Sequence, residues 1–412
     1  MSLDFGPIGI LAPIELAEFR DYLSPKDTIN ASSRVAGGSP IHLLCKALLK
    51  RGRRIVVFSL HPSIKEKQVI EGEHLRIYLG PIAQRSILNC YEEERRFLTN
   101  AIQGEKLACL HAHWTYEYAL AAIDSGLPYV ITAHDAPLAC FRWNLVLNPY
   151  DRYGEGFKKA ARNNAFWLAR TLIAYRATRS AKHLTAVSPY VAEHLRQYGF
   201  YDKPIEVIPN GMPPEFLDRQ LDERGGREFT FATALGNWGR LKNGDAAIAA
   251  FAKVRAALPN AKMLMFGGGY APDGPAAAWA RKKGYDVGIE FCGHVPHSAI
   301  IDTLARQVDV LVHPSHVEAH PMPLIEAMSL GIPAIGGNAA GGVPWTLGYG
   351  QYGMLVDVRS PDQIASAMLQ LIQNDEVRTH LGEIARESIK RRFHIQQVAD
   401  SYETIYAQLA SR

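Results

Sequence analysis

Val308-Asp-Val-Leu-Val-His313-Pro314-Ser315-His-Val-Glu318-Ala-His320-Pro321-Met322-Pro323-Leu-Ile-Glu326-Ala-Met-Ser-Leu-Gly331-Ile-Pro333-Ala-Ile-Gly336 is the stretch that decides the fold class. An apolar run, Val308–His313, is broken by Pro314-Ser315. A loop carrying Glu318 follows, then a helix that begins near Pro323 and carries Glu326. Gly331 ends the helix, and a second apolar run, Ala334–Gly336, starts at once. Strand, loop, helix and strand in this order form the repeating unit of a parallel sheet. Strands of such a sheet are covered on both faces and so read as continuous apolar runs. The two carboxylates flank the helix start, one in the loop before it and one about a turn inside. Open α/β sheets bind ligands at the C-terminal ends of their strands, where this loop would sit. The unpaired N–H groups of a helix start suit a phosphate or sugar oxygen. A capping acid plus a surface glutamate is the plainer reading, and spacing alone does not choose.

The same alternation extends outward. Short apolar runs recur at Ile55–Leu60, Tyr129–Thr132, Ile205–Ile208 and Lys262–Phe266. Between them lie stretches of helical period. Ile41, Leu44, Cys45, Leu48 and Leu49 share one face, with Ser39 as the expected cap, Pro40 at the first helical position and Gly52 as the stop. Ile248, Phe251, Ala252 and Arg255 repeat the rule, and Pro259 stops that helix. A last helix over His394–Leu409 carries the stripe Val398, Tyr402, Ile405, Tyr406 and Leu409. The polar stretch Pro213–Arg227 reads as a linker, so the expected domains are 1–215, joined by a closing helix at 393–412, and 228–392. Both read as doubly wound α/β domains.

Composition excludes several alternatives. With 45 Lys and Arg against 41 Asp and Glu, the net charge is +4, too balanced for a dedicated nucleic-acid binder. Hydrophobic residues at 47% and charged residues at 21% rule out a disordered or fibrous chain, and 412 residues suit two or three domains. The N-terminus lacks a basic leader, and no apolar run approaches the roughly 18 residues of a spanning helix. Cys45, Cys90, Cys109, Cys140 and Cys292 are scattered without a C-x-x-C pair, as expected of free thiols in a reducing cytoplasm. Dinucleotide and Walker-type glycine motifs are missing. His111 and His113 stand two apart at a strand end, but no third metal ligand supports them.

These segments together resemble the retaining family 4 glycosyltransferases, whose fold is GT-B: two Rossmann-like doubly wound domains facing each other across a cleft. The Glu318–Glu326 pair matches the family's Glu–seven residues–Glu pattern, flanked by Pro314-Ser315, Glu326-Ala327-Met328, Gly331-Ile-Pro333 and Gly341-Gly342-Val343-Pro344. Gly37-Gly38, His111-Ala-His113-Trp114, Thr132-Ala-His134-Asp135, Val187-Ser188, Ile208-Pro209-Asn210-Gly211, Gly267-Gly268-Gly269 and the closing helix with Tyr402 and Tyr406 extend the resemblance over nearly the whole chain.

The resemblance implies a role for each matching residue. Glu326 would bind the donor's ribose hydroxyls, and Glu318 would hold sugar hydroxyls near the anomeric carbon. Backbone amides around His320, Pro321 and Met322 would face sugar and phosphates. Lys242 would stabilise the departing diphosphate, and His134 would stand at the reacting centre. Gly37 and Gly38 would admit the diphosphate and acceptor, and Gly267 lies in the family's glycine turn. The chain departs from the pattern at Asn237, where the family has arginine; Arg240 is the nearby substitute. It departs again at Trp345, where an acidic residue is common, and at His320-Pro321 in place of Phe-Gly. No Asp-x-Asp occurs, so no metal is expected at the diphosphate.

The implied activity is retaining hexosyl transfer from a nucleotide sugar, UDP- or GDP-linked, to a glycan, lipid-linked or small-molecule acceptor. A silent nucleotide-sugar-binding protein and a phosphorylase or epimerase of the same fold are the rivals. Lys158–Lys182 holds seven basic residues and no acid, interleaved with Phe166, Trp167, Leu168, Leu172, Ile173 and Tyr175. It reads either as a helix with a core stripe and solvated charges or as a face for an anionic membrane. The expected location is cytoplasmic, with peripheral contact at the inner membrane face through 158–182.

Overall fold

The computed structural model describes residues 6–24, 38–83, 86–148, 150, 153, 156–219 and 228–411; Gly37 and linker residues 220–227 lie outside them. The chain forms two compact units. One comprises residues 1–138, 165–211 and 395–412, the other 139–164 and 212–394. Segment 139–164 thus groups with the second unit, whereas the sequence reading assigned it to the first.

In the first unit the strands are β1 (Ile8–Leu11), β2 (Ile55–His61), β3 (Gln68–Glu71), β4 (Leu75–Pro81), β5 (Cys109–His113), β6 (Tyr129–Ala133), β7 (Leu184–Ala186) and β8 (Glu206–Val207). Among the described residues they form one sheet in the order β3-β4-β2-β1-β5-β6-β7-β8. All pairs are parallel except β3 with β4. Every residue of β1, β2, β5 and β6 is buried, which is why β2 and β6 read as apolar runs; β5 buries His111 and His113 as well. Edge strand β3 instead exposes all but Ile70.

The helix Ser39–Lys50 packs Ile41, Leu44, Cys45 and Leu48 on this sheet. Its cap is Gly38, not Ser39. The Gly38 carbonyl accepts from Ile41 and His42, so Ser39 is already the first helical residue and its hydroxyl caps nothing. The closing helix Ile395–Ala410 lays Val398, Tyr402, Ile405, Tyr406 and Leu409 into the same core. Arg51 ties it down from the end of the first helix through Gln396, Asp400 and Glu403.

The second unit holds β9 (Thr230–Asn237), β10 (Lys262–Gly268), β11 (Ile289–Gly293), β12 (Val310–His313), β13 (Ala334–Gly337) and β14 (Met354–Val356). Their order, β11-β10-β9-β12-β13-β14, reverses direction between β9 and β12, and all pairs are parallel. That reversal leaves a crevice at the strand C-termini, where doubly wound sheets bind ligands. Helices Gly244–Ala257 and Pro361–Gln373 bury Ile248, Phe251, Ile364 and Met368 in the core around Phe231 and Met263.

Gly267, at the end of β10, has φ +124, and a Cβ there would lie 1.6 Å from the Leu235 carbonyl oxygen. Both facts exclude a side chain. Gly267→Ala is expected to cost roughly 1–3 kcal/mol, read as a lower urea midpoint. An unchanged midpoint would contradict this geometry.

Candidate functional site

In the second unit, the loops after β9 and β12 meet at the reversal point. Asn243, in the left-handed conformation at φ 52, donates from its buried side chain to the carbonyls of Pro314 at 3.0 Å and Val358 at 2.8 Å. The His316 amide donates to the Leu241 carbonyl at 2.9 Å. These bonds hold Lys242 against the β12 loop. Lys242 Nζ donates to Glu318 Oε1 at 2.7 Å, and His313 Nε2 donates to the same oxygen at 3.2 Å. Burial alone would raise the Glu318 pKa. The Lys242 ammonium and His313 outweigh it and hold the carboxyl well below the usual range. The Glu318 backbone is pinned as well, its carbonyl accepting from the Gly342 amide at 2.7 Å.

The helix Met322–Ser329 starts beside this pair with Pro321 as cap. Its first amides, Met322 and Leu324, have no protein acceptor among the described residues. Glu326, one turn in, is buried, and its Oε1 lies 2.8 Å from His297 Nε2. Its nearest polar partner is therefore distinct from those of Glu318. The His320 ring packs between Trp345 and Phe393, with centroids 5.1 and 4.6 Å away. Arg240 donates to the Asn148 carbonyl at 3.1 Å. Trp143 stacks on His316 at 3.9 Å and 11°, two residues before Glu318.

In the first unit, His134 follows β6 and contacts His113 at the end of β5, with His134 Nε2 2.9 Å from His113 Nδ1. The Trp114 ring lies 4.6 Å from that of His134. His111 is tied into the core at both nitrogens, 2.7 Å from Tyr406 Oη and 2.7 Å from Thr132 Oγ1. A Cβ on Gly38 would meet His42 Nε2 at 2.7 Å, so packing within the unit already demands glycine there.

The family model described as Glycosyltransferase Family 4 matches residues 38–216, and the model Glycosyl transferases group 1 matches 219–388. The chain belongs to glycosyltransferase family 4. N-acetyl-alpha-D-glucosaminyl L-malate synthase of Bacillus anthracis is 24% identical over 75% of this chain and 77% of its own. D-inositol 3-phosphate glycosyltransferase of Corynebacterium glutamicum is 32% identical over 31% of each chain. Sucrose-phosphate synthase from Thermosynechococcus elongatus aligns at TM-score 0.74 with 18% identity, covering 98% of this chain and 99% of that one. Anabaena HepE in complex with UDP and glucose aligns at 0.67 with 14% identity, covering 98% and 100%. The fold is GT-B.

Sequence reasoning about this glycosyltransferase missed His297, His313, Asn243 and Trp143 as neighbours of the site. Only Asn243 carried a local signal, the turn-forming pair Asn243-Gly244. No metal-binding group of three or more His, Cys, Asp or Glu occurs among the described residues.

The basic run lies in one helix, Phe157–Ser180, with Lys182 just beyond its end, and it fits neither sequence-based picture whole. Arg170 turns inward, its guanidinium 3.4 Å from the Tyr116 ring centroid. Tyr116 in turn donates to Asp135 beside His134. Burial raises the pKa of Glu117 and Asp135, and the Arg170 charge opposes the rise. Of the expected core stripe Ile173 is buried, whereas Phe166, Leu168, Leu172 and Tyr175 are exposed.

Burial lowers the pKa of His134 to about 3 and of His194 to about 4, and holds His111 and His113 well below 6.5. The folded chain therefore refuses protons that the unfolded chain accepts below about pH 6.5. Stability is expected to fall from pH 7 to pH 5, by about 2 kcal/mol each for His134 and His194 at pH 5, with His111 and His113 acting in the same direction. Urea midpoints at the two pH values check this, and His194→Gln should narrow the gap; equal wild-type midpoints would contradict it.

Proposed function

We propose that the chain transfers a hexosyl group from a nucleotide sugar to a hydroxyl of a glycan, lipid-linked or small-molecule acceptor, with retention of anomeric configuration. In this proposal the donor site lies in the domain 228–392 and the acceptor site in the domain 1–215 plus 393–412, of which segment 139–164 groups with the second unit. The observation that carries the reading is the Lys242–Glu318–His313 cluster beside an open helix start at the sheet's reversal point. The donor is a UDP- or GDP-linked sugar: Anabaena HepE, of the same fold, is seen with UDP-glucose, and a mannosyltransferase of Mycobacterium tuberculosis, 27% identical over 41% of this chain, is GDP-mannose-dependent.

In this reading Glu326 accepts from the ribose hydroxyls, and His297 holds its carboxylate until they arrive. The Met322 and Leu324 amides and Lys242 receive the diphosphate charge, with Arg240 beside them. His320 and Pro321 shape the sugar pocket from behind, and Gly38, with Gly37 outside the described residues, and Gly267 keep the backbone close. Glu318 is a positioning group for the sugar. A carboxylate whose oxygen is shared by an ammonium and an imidazole is a weak nucleophile. The anomeric C–O bond to phosphate breaks while the acceptor oxygen bonds on the same face. The acceptor proton passes to the departing phosphate oxygen. Rate then comes from orientation and electrostatics, without a metal.

Glu326→Ala is expected to weaken donor binding and Lys242→Ala mainly to lower turnover. Each effect should be roughly 10- to 150-fold, the worth of one charge-assisted contact. Titration calorimetry with UDP- and GDP-sugars and steady-state kinetics separate the two. Wild-type behaviour in both variants rejects the site.

A second reading concerns location. Leu168, Leu172 and Tyr175 are exposed at helical spacing, and Arg176, Arg179 and Lys182 follow them on exposed positions. An apolar strip edged by cations suits the interface of an anionic membrane, with each cation contributing about 1 kcal/mol. No helix among the described residues is long and apolar enough to cross a membrane. Peripheral binding to the inner membrane face is therefore proposed. Co-sedimentation with anionic vesicles at low salt is the test, and Leu168→Ser with Leu172→Ser should abolish it. No binding by the wild type ends the idea.

A further inference from the structure

We propose that His113 is a positioning residue that fixes His134 as its Nδ1–H tautomer, so that His134 offers a substrate oxygen a hydrogen-bond donor and not a base. The inference rests on the reading of His134 as a group at the reacting centre.

His113 Nδ1 and His134 Nε2 are 2.9 Å apart, so one proton lies between two imidazoles. Burial keeps both rings neutral. Each ring then carries one N–H, and two arrangements are open. If His134 donates, His113 must carry its proton on Nε2. If His113 donates, its Nε2 is a bare lone pair and His134 carries its proton on Nδ1. The structure discriminates between them at His113 Nε2, which is buried without a partner among the described residues. His113 is 2% exposed, and the His111 ring, 4.0 Å away, has both its nitrogens committed to Tyr406 and Thr132. A buried N–H without an acceptor is rarer than a buried acceptor without a donor. The second arrangement is therefore the populated one.

Its consequence falls on His134. Nε2 is used up as an acceptor, and Nδ1–H has no protein partner among the described residues. The Trp114 indole holds the ring plane from one side. A donor held in this way is matched by a sugar or phosphate oxygen. It cannot take the acceptor's proton, which must leave with the diphosphate, as the mechanism above requires. Which nitrogen is protonated is set by the bond the other nitrogen makes.

Long-range proton–nitrogen correlation on the full chain labelled with nitrogen-15 histidine reads the tautomers without any substrate, with signals assigned by His113→Phe and His134→Ala. Nδ1–H on both rings is expected, and Nε2–H on His134 overturns the proposal. In kinetics, His113→Phe fills the volume but removes the donor. It should lower kcat about 10- to 100-fold with donor KM little changed. His113→Asn, whose amide nitrogen replaces Nδ1–H, should recover most of kcat. Equal loss in both variants, or an effect on KM alone, overturns the positioning role. Should His134→Ala retain full transfer while the spectra show Nδ1–H, the reading of the reacting centre fails and the tautomer assignment stands.

Discussion

A carboxylate only 14% exposed at the sheet's reversal point must be neutralised in place, and the second unit meets that requirement at Glu318. Desolvating one ion costs several kcal/mol, so an unpaired Glu318 would be protonated or the loop would open. Lys242 meets it at 2.7 Å because β9 and β12 are neighbours, although 76 positions separate the two residues. The strand order thus makes the pairing available. The Asn243 side chain and the His316 amide then hold the two loops together through backbone carbonyls. The open helix start, the buried Glu326 and the pinned backbone at Gly342 all take their places from this junction.

The first unit solves a different problem. It brings together three imidazoles, His111 and His113 buried on β5 and the half-buried His134 just after β6, and the cheap solution is to keep them neutral and bond them to one another and to hydroxyls. Tyr402 and Tyr406 reach Thr132 and His111 from the closing helix, so the C-terminal residues complete the polar interior of a sheet built from the N-terminal half. His111 is consumed by this packing. His113 is half consumed, and its remaining capacity points to His134. Arg170 performs a similar service below the His134 loop, where its charge sits among Tyr116, Glu117 and Asp135.

Strands such as β2 and β6 were legible because burial on both faces leaves an apolar run, whereas β5 carries two histidines and gave none; the helix stops at Gly52 and Gly331 were legible because both adopt positive φ, at 76° and 78°. Local chemistry misled at Ser39. A serine before proline is a good cap in isolation, yet Gly38 can pack under His42 and take that position. The helix Phe157–Ser180 was legible as a helix but not by its faces. Its apolar and basic residues are interleaved, so no periodicity says which side the sheet will cover, and Arg170 turned inward against the rule for single charges. Partners such as His297 for Glu326 or Trp143 for His316 carried no signal at all, since such pairs are set by where helices and loops land.

The sequence by itself determined the α/β class, the glycine stops and the two glutamates at one helix start. Each of these depends on periodicity or backbone conformation over a few neighbouring residues. Only the tertiary structure decided which charges meet and which imidazole nitrogens are left over. Those outcomes depend on strand order and burial, which bring residues far apart in the chain within hydrogen-bond reach and make an unpaired polar atom costly.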